Sequence, residues 1–321
     1  MVSVIELLYT CCSCFVKRNT HIIYVSINFV CITGIIISYN RSRDIIQVND
    51  IPHTCRLGNF NVTLCLMQNS DMKGDDSTMS EPVFLKRTIV KQTLWSEHLQ
   101  EERKLRIYLP PGYNEVLSYP VVYCQDGEEF FNFGRIATLA GQLILEQDVE
   151  PFIIVGVEVN VAVRTEEYAP FGSRFKQYLA CFAEEIIPFI EHNYPVRRTP
   201  GERIVAGDSL GGSVSLHLAL AYPALFNRVL SLSGAYYPQT RELLAREEDL
   251  SWLQINMVVG LQERDYKTDT GIYDFVEMNR ETKAMLESRG ATVSYREKDG
   301  RHLWGFWQKE LPESLLYFFN R

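Results

Sequence analysis

An excess of basic charge is missing from this 321-residue chain, in which 32 Lys and Arg stand against 40 Asp and Glu for a formal net charge of −8. A field of that sign does not attract phosphate backbones or anionic bilayer surfaces, so nucleic acid is not an expected partner. Metal-ligand spacing is missing too: the cluster Cys11-Cys12-Ser13-Cys14 has no second half with Cys or His at zinc-finger distance. After residue 65 only Cys124 and Cys181 remain, each inside an apolar run, which is the usage of a reduced, cytoplasmic domain. Internal repeats and low-complexity tracts are also lacking. What is present, 46% hydrophobic and 22% charged residues, is the composition of a globular enzyme with room for a large core.

Up to Thr78, six basic residues balance six acidic ones, so the whole net charge belongs to 79–321. Residues 22–38 form a nearly uninterrupted apolar run, at the lower limit for crossing a bilayer core of roughly 30 Å. Lys17 and Arg18 precede it and Arg41 and Arg43 follow it, which leaves orientation unspecified. No small-residue cleavage site follows, so a signal peptide fits poorly. Just before Met79, Lys73-Gly74-Asp75 is encodable as AAA GGA GAT, a ribosome-binding sequence. The expectation is a start at Met79, with 1–78 a non-native or poorly ordered extension. A genuine membrane anchor through 22–38 is the alternative, and the sole route by which a membrane becomes a partner.

From residue 79 onward, short β-branched and aromatic runs alternate with helical patterns, which argues for strands joined through helices into a largely parallel sheet. The runs 84–94 and 104–109 lack an intervening helix and read as an antiparallel edge pair. Strands follow at 120–124, 151–157, 203–206, 229–232, 255–259 and 292–297, most of them apolar on both faces as buried parallel strands are. Helical spacing appears over 174–192 and 272–289. Pro110-Pro111-Gly112 and Asn193-Tyr194-Pro195 punctuate the chain as turns. The expected architecture is one α/β domain over 79–321.

The sharpest chemical signal is Gly207-Asp208-Ser209-Leu210-Gly211-Gly212, between the strand 203–206 and a helical run 213–221. A nucleophile elbow needs small residues beside the serine, because the strand-to-helix turn brings neighbouring backbone close. Such a turn lifts the Ser209 hydroxyl to the carboxyl end of the sheet, where open α/β sheets bind ligands. Serine is a poor nucleophile without a histidine base, itself oriented by an acid, and in this fold the order is Ser, acid, His. His302 is the one histidine beyond the elbow helix. His217 lies on that helix and reads as packed, while His98 and His192 read as surface residues. The acid belongs on the loop after 255–259, where Glu263 and Asp265 both qualify; either also has a bland role, pairing with Arg264 or capping the helix that follows.

Further segments stand beside the elbow: Leu109-Pro110-Pro111-Gly112-Tyr113, Tyr123-Cys124-Gln125-Asp126-Gly127, Arg164-Thr165-Glu166-Glu167-Tyr168, Gly260-x-x-Glu263, and Gly300-Arg301-His302 with Trp304 and Trp307. Together they make 79–321 resemble the esterase family of α/β-hydrolases that includes esterase D, the mycolyltransferases, feruloyl esterases and enterochelin-type siderophore esterases. The resemblance implies an α/β-hydrolase with a mostly parallel central sheet of about eight strands and helices on both faces. It implies a serine esterase acting on a small-molecule carboxylic ester through an acyl-enzyme, with no cofactor and no metal. It selects Glu263 over Asp265 as the triad acid, and the backbone N–H groups of Leu210 and Glu128 as oxyanion donors. This chain departs from the family in having Gly-Arg-His-Leu for Gly-Gly-His-Asp, which sets a bulky Arg301 beside the base, and in having an acid at Glu128.

Closeness to the siderophore branch points to catechol trilactones. Phe130, Phe131, Phe133, Tyr236, Tyr237, Trp304 and Trp307 are candidate lining residues, and Arg135 or Arg174 candidate partners for catecholate oxygens; the bland reading of the aromatics is core. Two alternatives remain, a short-acyl carboxylesterase or thioesterase of the esterase D type and a non-catalytic binding protein on the same fold. N-terminal sequencing of the native protein is expected to begin at or just after Met79, and a peptide from 1–78 would overturn that start.

Overall fold

The computed structural model describes residues 87–268 and 270–319, together with the backbone of four short strands near the N-terminus. The chain divides into two units, Met1–Met79 and Ser80–Arg321. In the first, Ser13–Arg18 pairs antiparallel with His21–Ser26, and Ile36–Asn40 with Ile45–Asn49. The middle of the apolar run 22–38, and with it the anchor expectation, lies outside the described residues. Among the described residues no helix is long and apolar enough to cross a membrane.

The second unit is built on eight strands: β1 Thr88–Ser96, β2 Glu101–Leu109, β3 Val121–Cys124, β4 Ile153–Val157, β5 Arg203–Asp208, β6 Arg228–Leu232, β7 Gln254–Gly260 and β8 Thr292–Lys298. Their spatial order is β8-β7-β6-β5-β3-β4-β2-β1. Strands β3 to β8 are mutually parallel, whereas β2 is antiparallel to both β1 and β4. The central strands β3, β4 and β5 are buried along their whole length, which explains why their sequences are apolar without alternation. The edge strand β1 alternates instead, with one face in water.

Helices cover both faces. On one, α1 Gly127–Asn132, α2 Ile136–Glu146 and α8 Trp304–Phe319 close a core that includes Phe130, Phe152, Leu311 and Leu315. On the other lie α4, a continuous helical segment 175–193, then α5 Leu210–Ala221, α6 Pro238–Arg246 and α7 Phe275–Ser288. The short α3 Arg164–Tyr168 precedes α4. Helix α7 begins at Phe275 rather than 272, because the Asp274 carboxylate accepts the Glu277 N–H at 2.9 Å as an N-cap. The residues just before it, Gly271–Tyr273, pair with Tyr266–Thr268 in a small antiparallel ribbon.

Two features of this topology position the site. After β3 the chain adds β4 on one side, then returns to place β5 on the other, so β3 and β5 are neighbours whose following loops diverge. That reversal opens a crevice at the carboxyl ends of the two strands, the usual ligand position in open α/β sheets. The loops concerned are Gln125–Glu128 and Ser209–Leu210.

His217, inside α5, is buried as its helical position suggested, with Nε2 3.0 Å from Thr240 Oγ1 and the Phe175 ring edge-on to it. Burial pushes its pKa down from 6.5 to about 4. The unfolded chain therefore binds a proton that the folded one refuses, so stability falls with pH between about 6.5 and 4, by an amount on the order of 3 kcal/mol. Urea midpoints measured across that window are expected to fall less steeply for His217→Gln than for the parent. Equal slopes would contradict a buried neutral imidazole.

Candidate active site

Strand β5 ends in Gly207-Asp208, and α5 starts at Leu210, leaving one residue for the turn. That residue, Ser209, has φ 52° and ψ −120°, a backbone conformation costly for a side chain with a Cβ. The turn is held by two backbone hydrogen bonds, from Ser209 N–H to the Leu232 carbonyl at 2.8 Å and from Ala235 N–H to the Ser209 carbonyl at 2.9 Å. Its tightness explains the glycine before it: a Cβ on Gly207 would stand 2.1 Å from the Gly211 carbonyl carbon.

Ser209 Oγ lies 2.9 Å from His302 Nε2, although 93 residues separate them. Behind the ring, His302 Nδ1 lies 2.7 Å from Glu263 Oε2. Glu263 is fully buried. Its second oxygen accepts the Gly260 N–H at 2.8 Å and the Ser233 hydroxyl at 2.6 Å, and Ser233 in turn accepts the Trp307 indole N–H at 2.8 Å. Tyr266, Phe275 and Trp307 pack around the imidazole with ring centroids 4.4, 4.2 and 4.9 Å away. Of the two carboxylates open from the sequence, Glu263 therefore meets His302, whereas Asp265 is exposed and its backbone is left-handed at φ 52°. The bland roles fall to a third acid, Asp274, which both pairs with Arg264 and caps α7.

The loop after β3 forms the opposite side. Asp126 is left-handed at φ 49°, and Gly127 runs so close to β4 that a Cβ would stand 2.2 Å from the Gly156 carbonyl carbon. The Arg164 guanidinium donates to both carboxylate oxygens of Asp126, Nε to Oδ1 at 2.7 Å and Nη2 to Oδ2 at 2.8 Å. Nη2 also reaches the Asp208 carbonyl at 3.4 Å, so one side chain touches both the β3 loop and the residue before Ser209. Burial, reinforced by the negative Asp126, pushes the Asp208 carboxyl well above its usual range. Glu128 and Leu210 open their helices, so their N–H groups have no helical carbonyl one turn back.

The Glu128 carboxylate does not point at this centre. It is 59% exposed and pairs with Arg106 at 2.7 Å. Arg301 is exposed, with Nε donating to Gln262 Oε1 at 2.8 Å. Several expected pocket residues are placed elsewhere. Tyr236 is fully buried and donates to Ser231 Oγ at 2.6 Å, which makes it a prop beneath the elbow rather than a substrate contact. Phe130 is core, edge-on to Trp304 at 4.8 Å. Trp304 is half-buried and donates to Glu129 Oε2 at 2.9 Å. Arg174 is engaged by Glu167 and Glu101, and Arg135 is exposed at the N-cap of α2. Roles for Arg164 and Ser233 escaped sequence reasoning. The first stood inside a quoted motif without a charge partner in sight, and an isolated buried serine carries no signal at all. Among the described residues no group of three or more His, Cys, Asp or Glu is arranged to hold a metal ion.

The family model described as Putative esterase matches residues 96–318, more than half of the chain. The chain belongs to that esterase family. The chain is 34% identical over 230 residues to YjcH of Bacillus subtilis (strain 168), an uncharacterized protein, across 71% of this chain and 96% of that one. A solved ferulic acid esterase superposes with TM-score 0.63 at 21% identity, over 73% of this chain and 98% of its own. The enterobactin esterase FES of Shigella flexneri does so with TM-score 0.61 at 21% identity, over 72% of this chain and 59% of its own. At these identities the two structures speak for the α/β-hydrolase fold alone.

Replacing Arg164 by Ala leaves the Asp126 carboxylate, 4% exposed, without its cation. Breaking a buried pair of this kind costs about 3 kcal/mol, or roughly 6–12 °C in Tm for a domain of this size. Arg164→Lys is expected to recover part of that, since a point charge cannot hold both oxygens. Thermal melts of the two variants check this, and an unshifted melt for Arg164→Ala would remove the clamp from the list of structural supports.

Proposed function

We propose that the protein is a serine esterase that hydrolyses small carboxylic esters through an acyl-enzyme. The observation that carries this reading is the continuous line from Ser209 Oγ to His302 at 2.9 Å and on to the buried Glu263 at 2.7 Å. In the proposed sequence His302 Nε2 takes the Ser209 proton as Oγ attacks the ester carbonyl. Glu263 stabilises the imidazolium, and the Leu210 and Glu128 amides receive the oxyanion. The protonated His302 then gives its proton to the departing alcohol, and water resolves the acyl-enzyme by the same route.

The magnitudes suit these assignments. Loss of a triad serine costs on the order of 10⁶ in kcat, and loss of one oxyanion donor about 3 kcal/mol. The buried free thiols of Cys124 and Cys181 accord with a reduced, cytoplasmic setting.

For the substrate, the relatives named for enterobactin and ferulic acid bring two candidate classes, siderophore trilactones and aromatic-acid esters. A short-acyl ester or thioester is the competing class. The burial of Tyr236 and Phe130 and the engagement of Arg174 take away part of the catecholate pocket expected from the sequence. A panel of trilactones, thioesters and simple acyl esters ranks the classes by kcat/KM.

A fluorophosphonate probe is expected to label Ser209, and Ser209→Ala is expected to lose on the order of 10⁵ to 10⁶ of activated-ester turnover. Unchanged turnover in that variant would end the proposal.

A further inference from the structure

Three rings surround the His302 imidazole, and one of them is open to water. Phe275 and Trp307 are buried, whereas Tyr266 is 38% exposed although its centroid lies 4.4 Å from that of His302. Tyr266 opens the ribbon that follows Glu263, in which it stands opposite Tyr273 while Lys267 stands opposite Ile272. Alternation puts the two tyrosines on one face and sends Lys267 and Ile272 to the other. The tyrosine face is turned toward the site. Tyr273 packs on Tyr237 with centroids 4.8 Å apart, and the Thr270 hydroxyl at the end of the ribbon donates to Tyr237 Oη at 3.1 Å. Tyr237 itself comes two residues after Ala235, whose N–H holds the Ser209 carbonyl.

This placement sets the Tyr266 ring beside the reacting atoms. In the acylation step proposed above, the bond from Ser209 Oγ to the carbonyl carbon forms as the bond from that carbon to the alcohol oxygen breaks. The proton taken from Ser209 passes from His302 Nε2 to the departing oxygen. Such a transfer requires that oxygen within about 3 Å of Nε2. The first carbons of the alcohol are then held next to the imidazole, within reach of the one ring that packs on it from the solvent side. Leu303, directly after His302, adds a second apolar side chain to this rim at 47% exposure. The cations nearest in the chain are engaged elsewhere, Arg264 with Asp274 and Arg301 with Gln262.

We infer that Tyr266 is the leaving-group contact of this site: the alcohol half of the ester lies against its ring, and esters of arylalkyl alcohols react in preference to esters of small alkyl alcohols. The inference rests on the serine-esterase reading above and adds the substrate class on the alcohol side. A partly exposed ring beside a buried base favours an apolar partner, because covering it removes apolar surface from water. An aromatic partner adds an edge-to-face or offset-stacked attraction. The acyl half, which stays on Ser209 when the alcohol leaves, is not selected by this ring.

The experiment compares benzyl butyrate with methyl butyrate. Both leave the same butyryl group on Ser209, so the ratio of their kcat/KM values reports the alcohol alone. That ratio is expected to fall about tenfold in Tyr266→Ala, chiefly through KM for the benzyl ester, and to hold in Tyr266→Phe, which keeps the ring. Mere loosening of His302 slows both esters together and leaves the ratio where it was. An unchanged ratio in Tyr266→Ala overturns the subsite, as does a shift confined to the acyl side, read from methyl phenylacetate against methyl butyrate. Turnover of both butyrates that survives Ser209→Ala overturns the serine reading instead, whatever the Tyr266 variants do.

Discussion

A carboxylate with no surface in water is tolerated only when its oxygens are supplied with donors, and Glu263 imposes that condition on everything around it. One oxygen takes the Gly260 N–H and the Ser233 hydroxyl, which leaves the other for His302. The requirement reaches into three elements. The turn after β7 must be tight enough to bring Gly260 onto the carboxylate three residues on. Ser233, past β6, accepts a left-handed φ of 49°. Helix α8 must lie where the Trp307 indole can donate to Ser233. An imidazole held by such a partner is fixed in both orientation and tautomer, and its far nitrogen is then presented to Ser209.

The other half of the site depends on where the chain changes direction across the sheet. Because β4 and β5 lie on opposite sides of β3, the loops after β3 and β5 stand side by side, each with a strained residue, Asp126 and Ser209. Arg164 touches both loops, and the glycines at 127 and 207 let the backbones approach within distances that a Cβ would forbid. Strain at the two turns is thus held by surrounding packing, the arrangement expected where a site is organised before its ligand arrives.

Legibility in the sequence tracked how local each cause was. The elbow was readable because strand, glycines, serine and helix are contiguous, and the parallel strands were readable because burial on both faces erases alternation. Element ends slipped where a single side chain decided them: Asp274 capped α7 three residues later than helical spacing suggested, with a short ribbon in front of it. The choice between Glu263 and Asp265 was closed to spacing alone, and was made first by resemblance and then by geometry. Pocket lining was the least legible part. An aromatic near the elbow in sequence has no reason to face the cavity, and Tyr236 lies under the turn, where its hydroxyl meets Ser231.

By itself the sequence determined the alternation of strands and helices, the sharp bend at Ser209 and the short set of residues able to act with it, because periodicity and backbone sterics operate over a few neighbouring positions. Tertiary structure alone decided which acid stands behind His302, that Arg164 bridges two loops, that the Glu128 side chain turns toward Arg106, and that Lys91 and Lys104 share one face of the β1–β2 hairpin. Those outcomes depend on strand order and register, which bring together residues tens of positions apart through packing of the whole sheet.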